Sequence, residues 1–98
     1  MKAKKLLALI STHCPKVTAR IQWDDRILIQ LSDGGEISTG INPPNRVCKF
    51  PFLWFNVRGS AIRLNGQDEY NGKLNYFQND AEDKLIELLK ELNNKLTK

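Results

Sequence analysis

The chain is short of the side chains from which active sites are commonly built. It has one histidine, His13, two cysteines, Cys14 and Cys48, and one methionine in 98 residues. No acid or second histidine stands at metal-ligand spacing beside His13, so a zinc site would need Cys48 and a carboxylate to converge from elsewhere. A Cys-His nucleophile needs its thiol and imidazole aimed at each other, which adjacent residues such as His13 and Cys14 seldom achieve. A histidine at a helix exit, facing the last carbonyls, is the simpler reading. There is no CxxC pair, no Ser-His-Asp set, and no glycine-rich stretch between a strand and a helix where a phosphate would be cradled. Asp24 and Asp25 are adjacent in a turn, and acid-base work needs two carboxylates on opposite sides of a substrate. No catalytic residue, metal ligand or cofactor motif can be assigned, and the expectation is a protein that is not an enzyme and takes no small-molecule substrate.

Long apolar runs are missing as well. Lys2, Lys4 and Lys5 followed by Leu6 to Ile10 imitate an export signal, but the run is shorter than a typical signal core and no small-x-small cleavage site follows. It is also far short of the roughly 20 residues of a transmembrane helix. The expectation is a cytoplasmic protein, away from the membrane, with both cysteines reduced. The charge is only mildly one-sided, 15 Lys and Arg against 11 Asp and Glu for a net +4. That balance fits a solubilising surface first and an anionic partner second. A chain of 98 residues with 41% apolar and 27% charged side chains reads as one globular domain, residues 1–98.

What the chain does have is β-alternation. Val17, Ala19, Ile21 and Trp23 alternate with Thr18, Arg20 and Gln22, and Ile27, Ile29 and Leu31 repeat the period after the Asp24-Asp25 break. Asp33-Gly34-Gly35 supplies a second turn and leads into Ile37, Thr39 and Ile41. The stretch predicts a three-stranded meander in which Trp23, on the inward parity, anchors the core and Leu28 points to the opposite face. The Pro43-Pro44 loop can be neither helix nor central strand. Val47, Phe50, Phe52, Leu53, Trp54 and Phe55 then crowd into ten residues, and so dense a run reads as core. Ile62 and Leu64 alternate with Arg63, which predicts a fourth strand beginning between Val57 and Ala61 and ending at the Asn65-Gly66 turn. Lys73 to Phe77 is a weaker candidate to close the sheet.

Helices are expected at both ends. Leu, Ala and Lys favour a short helix over Met1 to Ser11 stopped by Pro15, with a buried first strand as the competing reading. Near the other end Leu85, Leu88, Leu89, Leu92 and Leu96 recur at three and four, with Asp80 placed as N-cap, acid in the first turn, and Lys90, Lys95 and Lys98 toward the close. The predicted fold class is α+β: an antiparallel meander of three to five strands, a C-terminal amphipathic helix on one face, and a short N-terminal helix.

Two motifs carry a resemblance. Leu28-Ile29-Gln30-Leu31-Ser32-Asp33-Gly34 and Ala61-Ile62-Arg63-Leu64-Asn65-Gly66-Gln67-Asp68 resemble the two markers of small bacterial domains called the domain-of-unknown-function family 2442, where a strand ending in Asp-Gly is followed by an Ile-x-Trp-x-Asn-Gly-x-Asp-like signature. The match spans about Pro15 to Leu74. It departs at Leu64, at the Pro43-Pro44 loop and in the added C-terminal helix. The resemblance implies a small β-rich fold and an accessory role beside partner proteins, without an activity.

Two functions are open to these residues. The first is a protein-binding or regulatory module, working with a protein partner or as a homodimer, whose apolar patch would involve Leu28, Ile86 and Leu89, because Ile86 widens the leucine stripe beyond one seam. The second is a nucleic-acid-binding domain in which Arg46, Lys49, Arg58 and Arg63 track phosphates while Trp54 and Phe55 stack bases.

Overall fold

In the computed structural model, which describes residues 1–96, the chain folds as an α+β protein. The order is α1 (Ala3–His13), β1 (Thr18–Trp23), β2 (Arg26–Gln30), β3 (Glu36–Asn42), β4 (Phe52–Arg58), β5 (Lys73–Phe77) and α2 (Ala81–Lys95). The five strands form one antiparallel sheet in sequence order, so each strand pairs with the one made just before it. Lys98, expected to face the end of α2, lies outside the described residues.

The alternation of β2 and β3 decides which way the sheet faces. Ile27 and Ile29 lie opposite Thr39 and Ile37, and Ile37, Thr39 and Ile41 lie opposite Val57, Phe55 and Leu53, so one side of the sheet is apolar across three strands. Both helices pack there, α1 on β1 and β2, α2 on β4, and each on the other. Leu6 and Ile10 join Leu85, Leu88, Leu89 and Leu92 in a single core with the strand residues, all essentially without solvent contact. Thr39, the one polar side chain fully buried among them, donates its hydroxyl to the carbonyl of Trp54 at 2.9 Å. Leu28 is buried outside this core, on the other face, as its parity requires.

Four expectations are corrected. Trp23 is 62% exposed, because the register slips between Ile21 and Trp23 and sets Trp23 opposite Arg26. One extra residue in a strand reverses the parity of the residues beyond it, so the tryptophan leaves the apolar side. The fourth strand begins at Phe52, not between Val57 and Ala61, and it ends at Arg58 where Gly59 takes a positive φ of 67°. Ile62 and Leu64 belong to a connection without strand pairing, in which Leu64 is nevertheless buried. The crowded segment before it is not uniformly core. Leu53 and Phe55 are buried, whereas Val47 is 96% and Phe50 44% exposed in the β3–β4 loop. Lastly, Asp80 occupies the N-cap position of α2 but makes no side-chain capping bond. Its carboxylate accepts the Tyr76 hydroxyl at 2.6 Å and raises the phenol's pKa above its ordinary value.

The β2–β3 turn shows how a short connection is held. Gly34 takes a φ of 90°, which a side chain would oppose. Asp33 accepts the Ser60 hydroxyl at 2.6 Å and the Gly35 N–H at 2.9 Å, tying this turn to the exit of β4. The Ser60 hydroxyl, and after it the Gly35 amide, hold the Asp33 carboxyl below its usual pKa. Asp68 is lowered in the same sense by the Asn71 and Tyr70 amides. A folded value below the unfolded one, roughly 3.9, means stabilisation that is complete above that pH and lost as pH falls through the folded value. The melting temperature is therefore expected to drop on acidification below about pH 4. Asp33→Asn should lower it at pH 7 and flatten, without abolishing, the acid slope, since Asp68 still titrates. Circular-dichroism melts across this range check it, and an unchanged slope would sever Asp33 from acid stability.

Candidate functional site

With both helices on one side, the other side of the sheet has nothing packed over it among the described residues. Its composition is set by the register. Arg20, Leu28, Ser38, Asn56 and Lys73 lie opposite one another across all five strands. Beside this row runs Thr18, Gln30, Glu36 and Arg58, and at the far end Asn42, Phe52 and Phe77. Between them Gly40 lies opposite Trp54, which lies opposite Asn75. Four cations on strands, Arg20, Arg26, Arg58 and Lys73, thus share this face with one carboxylate, Glu36, while Asp24 and Asp25 stand at its corner. The three ion pairs among the described residues, Lys5–Glu82, Lys84–Glu87 and Lys95–Glu91, all involve helix residues, and these four sheet cations take part in none.

Aromatic groups are placed within that field. The guanidinium carbon of Arg26 lies 4.6 Å from the centre of the Trp54 ring, a cation–π contact that fixes both side chains. Trp54 can lie over β3 because the residue opposite is glycine: a Cβ at Gly40 would fall 2.7 Å from the tryptophan Cζ2 and 2.6 Å from the carbonyl oxygen of Asp25. Phe52 and Phe77 stack at 4.3 Å between centroids with their planes 4° apart. Trp23, half-exposed Phe77 and the loop residues Val47 and Phe50 form an apolar fringe around the same end of the sheet.

A groove of about 240 Å³ opens beside Trp54, with Leu28 in its wall and Arg26, Glu36, Ser38, Asn56 and Arg58 around it. Two polar atoms of its lining residues, Arg26 Nε and Asn56 Oδ1, are buried away from solvent and have no hydrogen-bond partner among the described residues. Such groups ordinarily cost about 1–3 kcal/mol each when left unpaired. A larger hollow of about 980 Å³, shallow and open, lies at the corner between Ile21, Trp23, Asp25 and Pro43.

The structure sorts the residues singled out from sequence. Trp54 and Arg58 stand together on the uncovered face, and Arg46 and Lys49 are exposed in the β3–β4 loop. Phe55 has no solvent contact and points into the core, so it offers no stacking surface. Arg63 lies off the sheet, its guanidinium donating to the carbonyls of Ile62 at 2.8 Å, Ser60 at 3.1 Å and Glu69 at 3.4 Å. Leu89 is wholly enclosed and Leu28 is buried in the groove wall, so neither can carry an exposed patch; Ile86 alone of that trio keeps a partly exposed side chain. Arg20, Arg26, Asn56 and Lys73 were missed: alternation in β2 was a signal for Arg26, whereas Asn56 lies in a strand with large apolar groups on both faces. Burial pushes the Cys14 thiol up to about 11, far from a thiolate at neutral pH. Among the described residues no three His, Cys, Asp or Glu side chains converge as a metal would require, and no helix is long and apolar enough to cross a membrane.

No protein-family model, curated protein or solved structure matches the chain. Of the two motifs that carried the resemblance read from sequence, Leu28–Gly34 is most of β2 with its turn, and Ala61–Asp68 is a connection without a strand.

Proposed function

We propose that this chain is a non-enzymatic binding domain that takes single-stranded nucleic acid on the uncovered face of its sheet. The observation that carries the reading is the field of Arg20, Arg26, Arg58 and Lys73 around Trp54, opposed on the strands by Glu36 alone. Cations spaced across a sheet neutralise a flexible phosphate backbone, and an aromatic ring among them stacks bases with little regard to sequence. An open five-stranded face suits a single strand better than a duplex, whose grooves admit helices and ribbons. A cytoplasmic setting belongs to the same proposal, as does membership in family 2442, which rests on the two turn motifs.

A second reading, association with a protein or with another copy of this chain, is favoured by the apolar fringe of Trp23, Val47, Phe50 and Phe77. One experiment separates the two. Fluorescence anisotropy with an RNA of about ten nucleotides should show binding that weakens as salt rises, with a slope of roughly −0.7 per phosphate neutralised. Replacing Arg20, Arg58 and Lys73 together by Ala should flatten the slope by about 2. Absence of binding at low salt would overturn the nucleic-acid reading, and a concentration-dependent dimer in sedimentation would then favour the second.

A further inference from the structure

We propose that the end of the sheet carrying the β1–β2 turn and the β3–β4 loop is a self-complementary surface on which a second copy of this chain docks across a two-fold axis, an inference that rests on the association reading above. Exposed apolar side chains set the location. An antiparallel sheet in sequence order brings the β1–β2 turn, the β3–β4 loop and the close of β5 to one end. Of the six large apolar side chains left exposed among the described residues, five, Ile21, Trp23, Val47, Phe50 and Phe77, lie at that end, and Tyr70 alone lies elsewhere. Apolar exposure gathered in one place marks an interaction site, whereas single scattered residues need no explanation. Val47 is 96% exposed although its loop is held: Asn45 Oδ1 accepts the N–H groups of Val47 and Cys48 at 2.8 and 2.9 Å, and the Asn45 N–H donates to the Cys48 carbonyl at 2.8 Å. A loop already held loses little freedom when a partner covers it.

Charge selects the occupant. Asp24 and Asp25 at the β1–β2 turn and Arg46 and Lys49 in the β3–β4 loop are exposed, and none of the four belongs to an ion pair among the described residues. Lys2 and Arg26 also border the hollow beside the turn, but Arg26 is engaged with Trp54, which leaves Lys2 alone to offset the two acids. One surface therefore carries acids on one connection, bases on another, and apolar groups with both. A two-fold axis through such a surface sets each copy's turn against the other's loop, so that Asp24 and Asp25 meet Arg46 and Lys49 twice over while Trp23 and Val47 are covered. A partner of a single charge sign would match half of this surface and oppose the other half. The field of Arg20, Arg58 and Lys73 on the uncovered face stays open in this arrangement.

The test is sedimentation velocity of the nuclease-treated, nucleic-acid-free chain from about 1 to about 300 µM, where a reversible dimer is expected. Two charge-reversed chains follow, one with Asp24→Lys and Asp25→Lys, the other with Arg46→Glu and Lys49→Glu, and thermal melts confirm that both are folded. Each alone should dimerise at least about tenfold more weakly than the parent, because like charges then face each other across the axis. An equimolar mixture of the two should restore a dimer to within a few-fold of the parent's affinity, since the reversed turn of one chain meets the reversed loop of the other. Adding Val47→Ser to both chains should abolish the restored dimer, which simple attraction between oppositely charged chains would not. A parent dimer indifferent to both reversals, a mixture that stays monomeric, or a restored dimer indifferent to Val47→Ser overturns this surface while leaving association in place. A parent that is monomeric at every concentration overturns self-association and this surface together.

Discussion

Ile29→Asp is expected to leave no cooperatively folded protein at room temperature. Ile29 is wholly buried in β2, between Ala19 of β1 and Ile37 of β3, on the side covered by the helices. A carboxylate there has no partner, and burying it costs several kcal/mol or forces its protonation. The whole stability of a domain of this size is about 5–15 kcal/mol. Gln30, the next residue, faces the uncovered side, and Gln30→Asp should melt within a few degrees of the parent. Far-UV circular dichroism with temperature reads both variants. A cooperative transition for Ile29→Asp near that of the parent would overturn the assignment of the covered and uncovered faces, and with it the binding surface.

Gly40→Val is expected to have the second largest effect, and it reaches both stability and binding. The residue sits in β3 with ordinary strand geometry, so conformational freedom is not what requires glycine here; space is. A Cβ would meet the Asp25 carbonyl at 2.6 Å and the Trp54 ring at 2.7 Å. The ring can swing away, but the carbonyl belongs to the backbone of the β1–β2 turn and cannot. Overpacking of this kind costs about 1–3 kcal/mol, which in a chain of this length lowers the melting temperature by roughly 4–8 °C per kcal/mol. Displacing Trp54 also breaks its contact with Arg26, so tryptophan emission in a Trp23→Phe background should shift, and single-strand affinity should fall. Unchanged melting together with unchanged emission would refute the packing of Trp54 over Gly40.

How much of this was legible in the sequence depends on whether one strand face or two carried bulk. In β2 and β3 the inward residues are aliphatic save for the β-branched Thr39, and most outward ones are polar, so period two identifies the strands and the face. In β4 both faces carry large apolar groups, Phe52 and Trp54 on one side and Leu53 and Phe55 on the other. Alternation of hydrophobicity is then invisible, and the segment resembles a compact core run. Trp23 misled for a different reason: a slip of register depends on the partner strand, which one strand's sequence does not contain. The C-terminal helix was readable from its leucine spacing and the N-terminal one only from helix-favouring Leu, Ala and Lys, with a strand as the competing reading; an amphipathic stripe, besides, says only that something covers it. That α1 and α2 would share one face, leaving the other bare, is a property of the three-dimensional packing. The groove atoms belong to the same category, since Arg26 and Asn56 lie thirty positions apart in sequence and meet only through the register of the sheet.

The packing of the two helices against one another also bears on how the chain is born. All five strands leave the ribosome before α2, and α1 leaves before any of them. Until Leu85, Leu88, Leu89 and Leu92 emerge, the nascent sheet carries Phe55 and its aliphatic neighbours uncovered by α2, and α1 lacks the helix it rests on. At about 5–20 residues per second, the 15 residues of α2 take roughly one to three seconds to make. Until α2 is available, the apolar side of the strands that precede it lacks this cover, and the closing step waits for that helix.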